Sequence, residues 1–168
     1  AIQAYYAALV ADAARNALIL SDVERALAEG RSPLLLTERK DHLEALAAYL
    51  RPRVRHLVVL MGGTTPKQQR ETMAQLAAVP PDEARLLLAT GRFIGEGFDD
   101  ARLDTLFLAL PVSWKGTIVQ YAGRLHRHYP GKTEVRIYDY VDAGVPMLAG
   151  MFGKRMRGYR GIGYEPGS

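Results

Sequence analysis

Apolar residues along this 168-residue chain change their period near Pro33. Before it the spacing is helical. Ile2, Tyr5, Tyr6, Leu9 and Val10 recur at three- and four-residue steps, which predicts a helix from about Ile2 to Asn16. Ser21-Asp22-Val23-Glu24 reads as a capping box that opens a second helix, with Val23, Ala26 and Leu27 on its apolar side and Gly30 as a left-handed stop. From Pro33 onward, short apolar runs alternate with amphipathic stretches. Leu34-Leu35-Leu36, His56 to Met61, Arg85 to Ala89, Thr105 to Leu110 and Glu134 to Tyr140 predict five strands. Between them, Thr37 is expected to cap a helix carrying Leu43, Leu46, Ala47 and Leu50. Thr65-Pro66-Lys67-Gln68 combines an N-cap, a proline at the first helical position and a capping-box Gln, opening a helix to about Ala78. Ser113 predicts another cap, and a last helix starts near Pro146. Short apolar strands without strict alternation, separated by helices, indicate an α/β fold with a parallel sheet covered on both faces.

At 48% hydrophobic and 24% charged residues the composition is globular. We divide the chain into N-terminal helices at 1–30, an α/β domain at 31–145 and a C-terminal helix with a basic tail at 146–168. The absence of Cys excludes disulfides, thiolate zinc sites, iron–sulfur clusters and a cysteine nucleophile. Apolar runs such as Leu57 to Met61 fall far below the roughly 18 to 20 residues that span a bilayer, so a soluble, cytoplasmic chain is expected. The net charge of +4 suits a polyanionic partner. Its excess lies in the C-terminal half, where Lys154, Arg155, Arg157 and Arg160 form a run without an acid. The chain opens on Ala1 and ends in Pro166-Gly167-Ser168, as expected of a piece of a longer polypeptide.

In an open parallel sheet, ligands gather at the carboxyl ends of the strands. Three stretches there carry candidate chemistry. Thr37, Glu38 and Arg39 follow the first strand, where an ordinary helix start explains them equally well. Gly91 to Asp100 follows the third strand; its Gly95, Gly97 and Asp99 permit tight turns and a rim carboxylate suited to a nucleotide, or simply make a turn. It is not a dinucleotide fingerprint, because Asp100 stands where the third Gly belongs. Gln120 to Arg127 places Arg124 and Arg127 three residues apart, ready for an anion or merely solvated on a helix face. Two decoys drop out. Gly131-Lys132-Thr133 mimics the end of a phosphate loop but precedes a strand, and Asp82-Glu83-Ala84-Arg85 mimics a Walker B box but precedes its apolar run. His126 and His128 have no carboxylate at ligand spacing, and no metal site is expected.

Taken in order, these pieces resemble the second RecA-like domain of superfamily 2 helicases and translocases, over most of residues 31–142. ATGRFIGEGFDDARLDTLFLALP resembles motif V with its following strand, and QYAGRLHR resembles motif VI. LLLTERKDHLEALAAYL resembles motif IV, and LMGGTTPKQQR the stretch after it. The G-E-G-F-D and Q-x-x-G-R forms are closer to the restriction-enzyme-like, duplex-DNA-translocating branch than to DEAD-box proteins, although His126 stands where many members have Gly. The resemblance implies a three-layer, phosphate-loop-type fold without its own phosphate loop. It also implies that Arg127 is an arginine finger, Arg124 its companion, and Gln120, Gly95, Gly97 and Asp99 the nucleotide side. Thr90 would contact a nucleic-acid phosphate, with Thr37, Arg39 and Gly62 as weaker candidates for the same track. ATP and Mg²⁺ would be held mainly by a first RecA-like domain in cis or in trans, so the isolated chain is expected to be inactive. The competing expectation is a stand-alone nucleic-acid-binding or regulatory module without ATPase activity.

Overall fold

The computed structural model describes residues 2–94, 98–113, 119, 122–123 and 125–167, and of Ile94 only the backbone. Five parallel strands, β1 (Pro33–Thr37), β2 (Leu57–Leu60), β3 (Leu86–Thr90), β4 (Thr105–Leu108) and β5 (Arg136–Asp139), form one sheet in the order β2-β3-β1-β4-β5. Leu35 is in register with Leu88 on one side and Phe107 on the other. Around the sheet lie α1 (Ile2–Val10), α2 (Ala13–Ala28), α3 (Lys40–Leu50), α4 (Pro66–Ala77), the short α5 (Gly91–Ile94) and α6 (Pro146–Gly161).

Parallel crossovers are right-handed, so the direction of each step along the sheet decides which face its connection covers. The step from β1 to β2 runs one way, and those from β2 to β3, β3 to β4 and β4 to β5 run the other. Thus α3 shares one face with α2, where Ile19, Val23, Leu43, Leu46 and Leu50 pack on Leu35, Leu88 and Phe107. On the opposite face Leu76, Phe93, Leu103, Leu125 and Tyr159 pack on Leu34, Leu36, Leu87 and Leu106. Every residue of β1 is buried, which is why its apolar run shows no alternation.

Local signals held where they agreed with this packing. Thr65 and Gln68 make the expected reciprocal capping box with Pro66 in the first turn, and Gly30 follows α2 at φ 78°. Two expectations at the N-terminal side need correction. The helix break lies at Asp12, whose side chain accepts from Arg15 N, and α2 runs unbroken through Ser21. Ile19, Leu20 and Val23 bury as one continuous stripe, and Asp22 accepts from the Tyr140 hydroxyl at 2.8 Å instead of capping. Thr37 does not cap α3 either; the cap position is Arg39, without a side-chain bond. The helix expected after Ser113 lies outside the described residues.

Candidate functional site

The candidate residues fall into two groups. The first is at the carboxyl edge. Thr90, the last residue of β3, accepts from Gly62 N at 3.4 Å, joining the ends of β3 and β2. The chain turns through Gly63 at φ 77°, and the Arg92 side chain lies across this turn. A Cβ on Gly62 would stand 2.7 Å from Arg92 Cγ, so glycine there is what lets the arginine lie flat. The result is a half-exposed hydroxyl, a glycine turn and a guanidinium on one edge, a surface able to receive a phosphate. Glu38 stands beside it against Gly91, its carboxyl raised above the usual range by burial.

Thr37 and Arg39 lie on the same edge but are engaged otherwise. Thr37 is 1% exposed, and its hydroxyl lies 2.9 Å from His42 Nδ1. Asn16 donates through Nδ2 to Val10 O and therefore turns Oδ1 toward His42 Nε2 at 2.9 Å. That arrangement places the imidazole proton on Nε2 and makes Thr37 the donor to Nδ1. Burial, and then the positive charge of Arg15, push the His42 pKa down to about 4, so the ring is neutral at pH 7. The Thr37 hydroxyl is thus consumed inside the fold. Arg39 pairs with Asp41 at 2.8 Å on the surface.

The second group is not at the carboxyl edge. Asp100 pairs with Arg85 at 2.6 Å just before β3, and Arg102 Nε donates to Ser32 Oγ at 3.0 Å just before β1. Residues 100–102 therefore lie at the amino edge, about 15 Å, one strand length, from Thr90. Asp99, adjoining them, accepts from Arg127 Nη1. Ala122 and Leu125 are buried at a three-residue spacing, which leaves Gly123, His126 and Arg127 exposed. Beside Arg127 opens a groove of about 230 Å³ lined by His126, His128, Lys132, Glu134 and Val135. Gly95, Gly97, Gln120 and Arg124 lie outside the described residues.

Sequence reasoning missed Lys132. The Gly-Lys-Thr tripeptide is set aside only as a phosphate loop, and what its lysine does instead is tertiary: the ammonium donates to Arg127 O at 2.8 Å and to Ala101 O at 3.0 Å, fixing the backbone at Arg127. Burial lowers its pKa. No local signal marks this role, because both acceptors are carbonyls distant in sequence. The basic run in α6 also needs correction. Lys154, Arg157 and Arg160 are exposed, but Arg155 is fully buried and gives Asp139 two hydrogen bonds, at 2.7 and 2.9 Å.

The fold is that of an α/β domain of the RecA-like class. Solved structures share it. T4 UvsW superposes over 96% of this chain with a TM-score of 0.74 at 17% identity, and the chain covers 35% of it. The C-terminal part of the Fun30 ATPase domain matches over 77% of the chain and 43% of its own, with a TM-score of 0.58 and 16% identity. The C-terminal domain of the DEAD-box protein Dbp5 matches over 79% of the chain and 71% of its own, at 0.59 and 14%. The chain thus spans less than half the length of the UvsW and Fun30 chains. In sequence it is 39% identical over 84 residues to uncharacterized protein 108L of Invertebrate iridescent virus 3, covering 49% of this chain and 75% of the viral one. The chain belongs to the same family as that viral protein. No family model matches it.

Proposed function

We propose that this chain is the second motor domain of an ATP-dependent nucleic-acid helicase or translocase acting on DNA, with Arg127 as its arginine finger. The observation that carries the reading is the meeting of Asp99 with Arg127 beside an open polar groove. Those residues stand 28 apart in the chain, and each belongs to a different motif-like stretch. The carboxyl-edge surface of Thr90, Gly62 and Arg92 supports a separate backbone contact. Two sites one strand length apart suit a domain that touches nucleotide with one side and nucleic acid with the other.

The residues present fit part of a nucleotide site only. A guanidinium at a rim can stabilise charge developing on a transferring phosphoryl group, while the cradle for the phosphates and the carboxylate for Mg²⁺ belong to a first domain in cis or in trans. The Arg127–Asp99 pair is exposed on both sides, 55% and 36%, so it holds the finger ready at a cost of release of about 0.2–1 kcal/mol.

The test is Arg127→Ala in the full-length protein, or in the chain combined with its first domain. ATP turnover is expected to fall by roughly 10³ or more with ATP binding retained. Turnover within about threefold of the parent sinks the reading. DNA binding without ATP turnover in the parent itself would favour the regulatory module.

A further inference from the structure

We propose that Tyr164, beyond the last helix, is a positioning residue for the Arg127 segment; the proposal rests on Arg127 acting as the finger. Three observations place it there. Its hydroxyl donates to Ala122 O at 2.9 Å, its ring lies 5.1 Å from that of His126 at 56°, and it packs on the core face that contains Leu125. Tyr164 thus touches the segment leading to Arg127 at its backbone, and at the residue immediately before the arginine.

The sequence around Tyr164 is built to hold it. Gly163 takes φ 98°, Gly163 N donates to Arg160 O at 3.1 Å and Tyr164 N to Tyr159 O at 2.9 Å, the pattern of a Schellman cap. The contact expected across such a cap is present as an edge-on pair of the Tyr159 and Tyr164 rings at 6.2 Å. The helix behind the cap is fixed in turn. Arg155 and Tyr159 both donate to the Asp139 carboxylate at the end of β5, and Arg155 Nη1 donates to Val112 O at 2.7 Å. From the other end of the chain, Tyr6 donates to Pro111 O at 2.6 Å and Arg15 to Ala109 O. The carbonyls leaving β4 and the carbonyl of Ala122 are therefore held by side chains from the terminal helices and the turn after them. Positioning at this level matters for chemistry, because a displacement of about 1 Å in a charge-stabilising group costs on the order of 10² in rate.

Two measurements test this. In the 168-residue chain, Tyr164→Ala should speed amide hydrogen exchange across residues 122–127 while the β1 and β3 amides keep parent protection. Tyr164→Phe, which keeps the ring and removes the hydroxyl, should fall between. In the full-length protein, Tyr164→Ala and His126→Ala should each lower kcat for ATP about ten- to a hundredfold with KM for ATP within twofold of the parent, and Tyr164→Phe should recover part of it. Partial unfolding would also lower apparent kcat at unchanged KM, so turnover is expressed per folded molecule, and the partial recovery in Tyr164→Phe separates positioning from loss of fold. Parent exchange at 122–127 in Tyr164→Ala, or parent turnover in Tyr164→Ala and His126→Ala while Arg127→Ala is inactive, overturns the positioning role alone. Parent turnover in Arg127→Ala overturns the finger reading and this proposal with it.

Discussion

Two arginine–aspartate pairs stand on the same side of the sheet and obey opposite rules. Arg155 and Asp139 are 0% and 7% exposed, meet in a two-pronged contact, and have every remaining polar atom in view of a partner such as Val112 O or the Tyr159 hydroxyl. Arg127 and Asp99 are more than a third exposed, and the open groove runs beside the arginine. Burial makes the first pair expensive to break, since removing one partner strands a charge in the protein interior. Solvent makes the second pair weak and exchangeable. A side chain that must leave its partner to meet another anion belongs in the second setting. The same distinction separates Thr37, whose hydroxyl is tied to a buried neutral histidine, from Thr90, which remains half-exposed at the strand end.

The contrast is broken most strongly by cutting the buried pair. Arg155→Ala in the 168-residue chain is expected to cost about 3–5 kcal/mol in denaturant unfolding, because Asp139 then stays buried without its counter-charge. Arg127→Ala, measured alongside, should change stability by no more than about 1 kcal/mol. Equal losses in the two variants would mean that exposure does not distinguish the pairs.

Arg155 also shows where reading the sequence stopped. The five strands, their parallel arrangement and the caps at Thr65 and Gly30 were legible, because each rests on neighbours within a few residues. The basic run from Lys154 to Arg160 looked uniform, yet at a helical period one of its members must face the core, and which one depends on where Asp139 ends β5. The candidate site is legible only as residue types, and its geometry is not. The motif-like stretches single out both Asp99 and Arg127, but the strand-end rule points to the carboxyl edge, whereas the two side chains meet on the other side of the strands. The chain carries Asp99 back to the amino edge because Asp100 and Arg102 are tied to Arg85 and Ser32, contacts between residues far apart in sequence. Lys132 and Tyr164 escaped notice for a related reason: each acts on a backbone carbonyl, which leaves no pattern in the side chains.

A smaller break comes through His42. Its folded pKa of about 4 lies below the ordinary value of 6.5, so between those values the unfolded chain binds more protons than the folded one. Stability should therefore fall as pH drops below 6.5, with about 3 kcal/mol lost by pH 4 through this group alone. His42→Gln removes the titrating ring. The chain and the variant, unfolded by urea across pH 4–7, should diverge by about that amount between the two ends of the range, the carboxylates cancelling between them. Parallel stability profiles would show that His42 accepts a proton in place, and that the buried network around Thr37 is looser than the geometry indicates.

The smallest effect bears most directly on the role proposed for Arg127. A double-mutant cycle of Arg127→Ala and Asp99→Ala in the 168-residue chain should give a coupling of only about 0.2–1 kcal/mol at low salt. The value should shrink toward zero at 1 M salt, where the screening length is about 3 Å and both side chains are in contact with solvent. Weakness is the requirement here. A finger bound to Asp99 by several kcal/mol would deduct that amount from whatever it gives to transition-state charge. One bound by a fraction of a kcal/mol stays oriented over the groove and still transfers readily to a stronger anion. A coupling near 3 kcal/mol that ignores salt would mean that Asp99 holds Arg127 as firmly as Asp139 holds Arg155. The two pairs would then be one kind of structural contact, and Arg127 would no longer be available for catalysis.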